Sequence, residues 1–231
     1  MAETHLLKGE PPVEVELRRN ARARRLTLRV ASRDGRVTLT VPRGVSDRAA
    51  LDFAQSKQDW LARHMAKLPA AAPLKLGDIL PIEGQDVRLE TERIRAPKRE
   101  GDRLLVPTRY AERPGRAAAA FLKLLARERL AEASDAYSEA LGRPYHRMTL
   151  RDPRTRWGSC SSAGALMYSW RLAMAPPDVL RYVAAHEVAH LQEMNHSPDF
   201  WAVVGRLMPD YARHRDWIKR EGAALQRIVL D

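Results

Sequence analysis

Alternation of apolar and polar residues predicts several short strands in the first half of the chain. The segment 13–17 (VEVEL) alternates strictly, and the segments 25–30 and 36–41 do so on either side of the turn Asp34-Gly35. In a strand every second side chain lies on the same face of the sheet, so each segment presents one apolar face. Shorter strands are predicted at 79–81, 87–90 and 104–106.

Apolar residues at helical spacing predict one helix in the first half of the chain and a second, longer helix after it. Ser46 is typical of a helix N-cap, and the apolar positions that follow it indicate a helix as far as Met65. A longer helix is predicted from about Arg116 to Leu141, with Gly142 as the residue that ends it.

The last third of the chain combines strands with helices. Strands are predicted at 146–151, 154–160 and 165–172, and helices at about 176–194, from 197 onward and at 210–224. We therefore predict an α+β fold with two domains. Residues 1–115 would form a small β-rich domain with one helix, and residues 116–231 a domain in which an antiparallel sheet packs on the helix at 176–194.

The helix predicted at 176–194 carries the residues with the most specific chemistry. His186 and His190 are four residues apart and therefore lie on one face of the helix, about one turn from each other. Two imidazoles so placed can bind one Zn²⁺, while Glu187 between them reaches a water on the metal. Three of the seven histidines fall within 186–196, which makes a chance occurrence on a surface helix a poor explanation. The single cysteine, Cys160, is far upstream, so a structural thiolate site is disfavoured.

A third zinc ligand is needed, and His196 is the first candidate for it. Its spacing from His190 equals that of metzincins, but the glycine of that pattern is replaced by Glu193, so we expect the chain to turn at Asn195. Three other residues compete for the same role: Glu193, Asp199 and His214.

A zinc ion held by three neutral histidines keeps one open position, which is typical of catalytic sites. The pKa of a water in that position falls toward ~7, and Glu187 would take its proton and later return it to the leaving group. An oxyanion formed there needs a further donor. The candidates for substrate or transition-state contacts are Arg154, Arg156, Gly158 and Tyr211, with Tyr168 and His214 as weaker ones.

The composition indicates one soluble chain with an excess of positive charge. Apolar residues make up 45%, no stretch approaches the ~20 apolar residues that span a membrane, and the N-terminus lacks an apolar signal region. With one cysteine, a cytoplasmic location is expected. The net charge is +11, and the cluster Arg18–Arg29 contains six arginines and no acid. This cluster is either a solvated face or a surface that attracts nucleic acid, although no aromatic residue interleaves it for base stacking.

Several segments together resemble a known family. They are RWGSCS at 156–161, YSWRL at 168–172, HEVAH at 186–190 and NHSPDFW at 195–201. These segments are similar to the YgjP-like metallopeptidases, which are related to the SprT-like and minigluzincin-type zinc peptidases. The resemblance covers about 145–218, with a further Arg-rich hairpin similar to 15–45. It implies a minimal zincin-like fold for the C-terminal domain, one Zn²⁺ per chain on His186, His190 and His196, and Glu187 as the base.

Three functions remain open from the sequence. The first is a zinc-dependent metallopeptidase that acts on a peptide or protein, which the resemblance favours. The second is a metal-dependent nucleoside triphosphate pyrophosphohydrolase, because metal-activated water also attacks phosphoanhydrides and the chain is rich in arginine. The third is a nucleic-acid-associated binding module that uses the Arg18–Arg29 cluster, and Glu187 argues against it because a purely structural metal site needs no base. No membrane partner is expected.

Overall fold

The computed structural model of the protein describes residues 3–9, 12–31, 35–66 and 72–230. Within this part of the chain, contacts define two compact units, residues 1–72 and residues 73–231. Each unit combines small sheets, in which most neighbouring strands are antiparallel, with separate helices, so the predicted α+β class is confirmed. Among the described residues, no helix is both long and apolar enough to cross a membrane.

The first unit is a four-stranded sheet with two helices packed on it. Its strands lie in the order β1-β2-β4-β3, with β2 and β4 parallel and the other neighbours antiparallel. The strands are β1 Glu3–Leu7, β2 Val13–Arg19, β3 Thr27–Val30 and β4 Val37–Val41, and the helices are α1 Asp47–Gln55 and α2 Gln58–Ala66. The predicted turn residue Asp34 lies outside the described residues, and Gly35 follows it with φ 67°.

The helix predicted from Ser46 to Met65 is two helices in the structure. Ser46 is the N-cap, and its side chain accepts a hydrogen bond from the backbone N–H of Ala49 at 3.2 Å. The first helix ends at Gln55, where the Ser56 hydroxyl donates to the carbonyl of Phe53 at 2.7 Å. A serine that bonds to the backbone in this way competes with helix continuation.

The second unit holds two further sheets and four helices. Strands β5 Ile79–Ile82, β6 Gln85–Glu92, β7 Lys98–Glu100 and β8 Arg103–Pro107 form a sheet in the order β5-β6-β8-β7. Strands β9 Arg147–Arg151, β10 Gly158–Cys160 and β11 Ala165–Ser169 form another in the order β10-β11-β9. The helices are α3 Pro114–Leu141, α4 Pro177–Ala189, α5 Pro198–Leu207 and α6 Tyr211–Arg227, with short 3₁₀ turns at Thr108–Tyr110 and Trp170–Met174.

The compact units divide at residues 72 and 73, whereas the sequence indicated a boundary at 115 and 116. The reason is the core that the β5–β8 sheet shares with the helices that follow it. Leu80 and Leu104 of this sheet are fully buried in one cluster with Leu122 of α3 and Val188 of α4. Strand patterns alone do not reveal which apolar faces meet across the chain.

The sheet next to α4 differs from the predicted antiparallel arrangement in one pairing. The β10 and β11 strands are antiparallel neighbours, but β9 pairs with β11 in parallel. The segment 152–157 carries the chain from β9 to the far side of β11 before the β10–β11 hairpin begins, so β11 lies between the two strands that precede it.

Helix α4 lies in the middle of this unit and is buried on nearly all sides. It contacts α3, α5, α6 and β10, and nine of its thirteen residues are buried. A helix that is apolar all round is typical of the interior of a domain, so α4 offers a fixed frame for the polar side chains that it carries. The helix ends at Ala189, five residues earlier than predicted, with His190 as its C-cap.

Candidate metal centre

Three histidines converge at the C-terminal end of α4. His186 lies in its last turn, His190 is its C-cap, and His196 lies in the loop before α5. One ring nitrogen from each lies within 4.8 Å of the others, and the Nε2 atoms of His186 and His196 are 3.0 Å apart. Within the described ranges, this is the one group of histidine, cysteine, aspartate or glutamate side chains close enough to hold a metal.

The loop that carries His196 is held by local hydrogen bonds. The Asn195 side chain accepts from the backbone N–H of Ser197 at 3.2 Å, and the Ser197 hydroxyl accepts from the N–H of Phe200 at 3.3 Å. Ser197 is thus the N-cap of α5, with Pro198 in its first turn. This Asn-His-Ser-Pro sequence makes the turn without the metzincin glycine.

The hydrogen bonds of the histidines show which ring nitrogens can bind a cation. His190 Nδ1 lies 2.9 Å from the carbonyl oxygen of Glu193, which can only accept, so Nδ1 carries the proton and Nε2 presents a lone pair. Two Nε2 atoms 3.0 Å apart, on His186 and His196, also need a proton or a cation between them. The donor set therefore fits a metal that prefers nitrogen ligands.

Burial keeps two of these histidines neutral. It lowers the pKa of His186 to about 3, with smaller contributions in the same direction from His190 and His196. The pKa of His190 is also lowered, mainly by burial. Because only the neutral imidazole has a lone pair for a metal, the centre is ready to bind a cation at neutral pH.

Glu187 lies beside the histidines with 6% of its surface exposed. Burial raises the pKa of its carboxyl group to about 8, and the positive charge of Arg156 acts in the opposite direction. Its carboxylate faces Gly158 at the start of β10, where a Cβ would lie 2.6 Å from Oε1 of Glu187. An acid in such surroundings is typical of a group that exchanges protons near neutral pH.

Phe200 packs against all three histidines, although the sequence alone did not identify it as part of the site. Its ring centroid lies 4.9 Å from that of His186, 4.5 Å from His190 and 4.8 Å from His196, and the side chain is fully buried. Trp201 extends this layer, at 5.7 Å from His186. The Phe-Trp pair that follows Ser197-Pro198 was visible in the sequence, but only its packing shows that it supports the histidines.

The residues predicted to contact the substrate differ in their exposure and in their contacts with the centre. Gly158 contacts Glu187, whereas Arg154 and Arg156 are both exposed on the loop before β10, and the charge of Arg156 acts on the Glu187 carboxyl group. Tyr211 is the first residue of α6 and stacks on Trp201 at 5.4 Å, so it reaches the layer that supports the histidines.

Four other candidates have different surroundings. Tyr168 is fully buried with its hydroxyl 3.0 Å from that of Ser134, which removes it from substrate contact. His214 is buried and bonded to Asp210 at 3.3 Å. Glu193, Asp199 and His214 are not members of the metal-binding group in the described part of the chain.

The Arg18–Arg29 cluster lies in the first unit and is partly neutralised there. Arg18 pairs with Glu16 at 2.9 Å, and Arg19 pairs with Asp47 at the start of α1. Both acids lie outside the cluster in the sequence. The net positive charge around the cluster is therefore lower in the fold than the sequence of 18–29 suggests.

The comparisons with known proteins now decide the family. The model of one family, described as "YgjP-like, metallopeptidase domain", matches residues 24–221. The chain belongs to the YgjP-like family. No curated protein sequence matches the chain. Among solved structures, the YgjP-like chain is similar to the crystal structure of the metallopeptidase zymogen of Pyrococcus abyssi abylysin. The identity is 21% and the TM-score 0.37, over 43% of this chain and 98% of that chain.

Membership of this family makes the YgjP-like chain a metallopeptidase, and hence a hydrolase that uses a metal and acts on peptides. The family match includes α4, the His196 loop and most of α6, so it covers every residue of the candidate centre. It gives no support to a nucleotide or a nucleic acid as partner.

Proposed function

We propose that this YgjP-like protein is a zinc metallopeptidase with one Zn²⁺ on His186, His190 and His196 and with Glu187 as its general base. The observation that carries the proposal is the convergence of three histidine nitrogens within 4.8 Å, next to a buried carboxylate. Three protein ligands are the number that catalytic zinc sites use, since they leave one coordination position for the reaction, and three histidines are one such set.

The chain's own residues have separate tasks in this mechanism. His190 donates to the Glu193 carbonyl, which fixes its ring and directs its Nε2 lone pair into the centre. Phe200 packs against all three imidazole rings and would keep their orientation fixed. A bound Zn²⁺ would polarise the scissile carbonyl and increase the acidity of water.

Glu187 would hold and move the proton. Its carboxylate would accept a proton from the attacking water and return it to the amine that leaves. The positive charge of Arg156 favours the ionised form that can accept it. The same arginine, with Gly158, Tyr211 and Arg154, would contact the substrate, and both arginines are exposed on the loop before β10.

The test joins metal analysis with peptide cleavage. Purified protein should contain about one zinc per chain, cleave unstructured peptides, lose activity on chelation and regain it with zinc. Glu187→Gln should retain zinc and lose activity by ~10²-fold or more, the size of a general-base contribution. His196→Ala should lose zinc.

The matched control is Glu193→Gln, which removes a nearby carboxylate but keeps the carbonyl that His190 uses. It should retain both zinc and activity. Full activity in Glu187→Gln would contradict the mechanism. Release of pyrophosphate or phosphate from nucleoside triphosphates by wild type, without peptide cleavage, would instead support the pyrophosphohydrolase alternative.

A further inference from the structure

A groove lies between strand β3 and the two helices of the first unit, and its volume is about 640 Å³. It is lined by residues of three short segments. They are Arg25, Leu26, Thr27 and Leu28 next to and within β3, Phe53 and Ser56 at the end of α1, and Lys57, Asp59, Trp60 and Arg63 around α2. All lining residues belong to the first unit, whereas the three histidines of the metal centre belong to the second.

The floor of the groove is apolar and half-buried. Leu26, Leu28, Phe53 and Trp60 are partly exposed and pack against the core of the first unit. They form a contiguous apolar strip that the described residues leave open to solvent. Such a strip, bordered by charge, is typical of a surface that binds another chain.

The rim of the groove is basic and its charges have no ion-pair partners within the described residues. Arg25, Lys57 and Arg63 line it against a single acid, Asp59. Arg24 and Arg29 come directly before and after the lining segment 25–28 in the sequence and are exposed. None of these five cations forms a salt bridge with a described residue. This contrasts with Arg18 and Arg19, whose charges are neutralised.

The β3 strand also offers free backbone groups along the groove. It is the last strand in the order β1-β2-β4-β3, so within the described part of the chain one of its edges has no neighbour. The Ala31 N–H donates to the Arg36 carbonyl at 2.8 Å, which makes these two residues a hydrogen-bonded pair. Because such pairs alternate along an antiparallel ladder, the N–H and C=O groups of Leu28 and Val30 point to the open edge.

We propose that this groove, which we call the β3 groove, binds an extended acidic segment of another polypeptide as an added strand. The open edge would supply main-chain hydrogen bonds, the apolar strip would accept alternate side chains, and the basic rim would pair with glutamate or aspartate between them. The occupant is therefore a peptide in which acidic and apolar residues alternate.

A single-stranded nucleic acid fits the same surface less well. Base binding needs free aromatic faces, and the two rings of the groove already have neighbours. The His64 ring lies 4.1 Å from Trp60, and the Lys57 ammonium lies 5.9 Å from the centre of the Phe53 ring. Both rings also pack against the core of the first unit and are only partly exposed. An open strand edge, in contrast, has no role in binding a base.

Fluorescence anisotropy with a labelled ten-residue peptide of alternating glutamate and valine tests the proposal. The protein is the full chain with Glu187→Gln, so that hydrolysis cannot consume the probe and binding is measured apart from the proposed catalysis. Arg25→Glu with Arg63→Glu should weaken binding at least about tenfold, which corresponds to ~1.4 kcal/mol. Arg43→Glu with Arg48→Glu, two exposed arginines of the same unit outside the groove, should change it less than about twofold.

Three further probes separate the contributions. A peptide with glutamine in place of glutamate tests the basic rim. A peptide that is N-methylated at alternate amides tests the strand edge. Both should bind much more weakly than the parent peptide. Oligothymidylate of equal charge should compete poorly. Equal weakening by the two double variants, unchanged binding of the N-methylated peptide, or stronger binding of oligothymidylate would each overturn the proposal. Circular dichroism melts establish that every variant is folded.

Discussion

Gly158 and Glu187 are in direct contact across the interface between β10 and α4. A Cβ on Gly158 would lie 2.6 Å from both Cγ and Oε1 of Glu187, and 2.8 Å from its Cδ. No side chain fits there without displacing the carboxylate. The glycine of the Trp-Gly-Ser-Cys segment therefore determines where the proposed base is held.

Gly158→Ala should reduce peptide cleavage without removing the metal. The methyl group would displace the Glu187 carboxylate by an ångström or so, and a misplacement of this size in a catalytic group costs on the order of 10²-fold in rate. We expect kcat/KM to fall by about that factor while zinc content stays unchanged. Gly205→Ala on α5 is the control, because its Cβ would meet only Tyr211 at an ordinary 3.7 Å. Equal activity of the two variants would contradict this account.

Phe200→Leu should weaken metal binding more than it weakens the fold. Leucine fills most of the volume but lacks the flat ring that contacts all three imidazoles at 4.5–4.9 Å. Because groups that orient metal ligands contribute 10- to 100-fold to affinity, we expect a loss of roughly tenfold in zinc competition with a chelating dye. Val204→Ala, also fully buried on α5, should lower the free energy of unfolding with little change in zinc affinity.

Arg171→Met should strongly destabilise the second unit. The guanidinium is 1% exposed, binds both carboxylate oxygens of Asp152, and donates to the carbonyls of Leu225 and Ile228 near the end of α6. Removing it takes a charged donor from the carbonyls of Leu225 and Ile228, which are buried or partly buried, and each such loss typically costs about 1–3 kcal/mol. Urea unfolding measures this loss.

The control for this variant is an exposed arginine in the same unit. Arg129→Met breaks an ion pair with Glu83 in which the arginine side chain is about half exposed, and it should cost less than about 1 kcal/mol. Similar losses of unfolding free energy in the two variants would show that the burial of Arg171 does not determine its contribution to stability. Arg171→Lys should also be destabilising, because lysine lacks the planar fork that binds Asp152 through two nitrogens.

Cys160 should react slowly with thiol reagents at pH 8. Burial, and secondarily the charge of Glu187, raises the pKa of its thiol from 9.0 to about 11. A raised pKa lowers the fraction of thiolate, the reactive form, at every pH below it, here by ~10²-fold at pH 8. The reaction with a disulfide dye should therefore be that much slower in folded than in urea-unfolded protein and should speed up toward pH 11. Since the chain has one cysteine, a rate at pH 8 equal to that of the unfolded chain would contradict the prediction.

Local patterns of the sequence predicted the parts of the centre that depend on local geometry. The four-residue spacing of His186 and His190 sets them on one face of a helix whatever surrounds it. Capping residues such as Ser46 and Gly142 act on backbone groups a few positions away, and both end or begin helices as predicted. The match of the segments 156–161 and 186–201 to a family likewise needed only the order of the residues.

Tertiary structure decided what depends on contacts between distant segments. The burial that raises the pKa of Glu187, the close approach of Gly158 and the platform of Phe200 under three imidazoles arise only when β10, α4 and α5 pack together. The same holds for the division of the chain at residue 72 and for the parallel pairing of β9 with β11. Spacing along one helix is determined by backbone geometry, whereas the environment of a side chain depends on which apolar faces meet, and many pairings of such faces satisfy the same hydrophobic pattern.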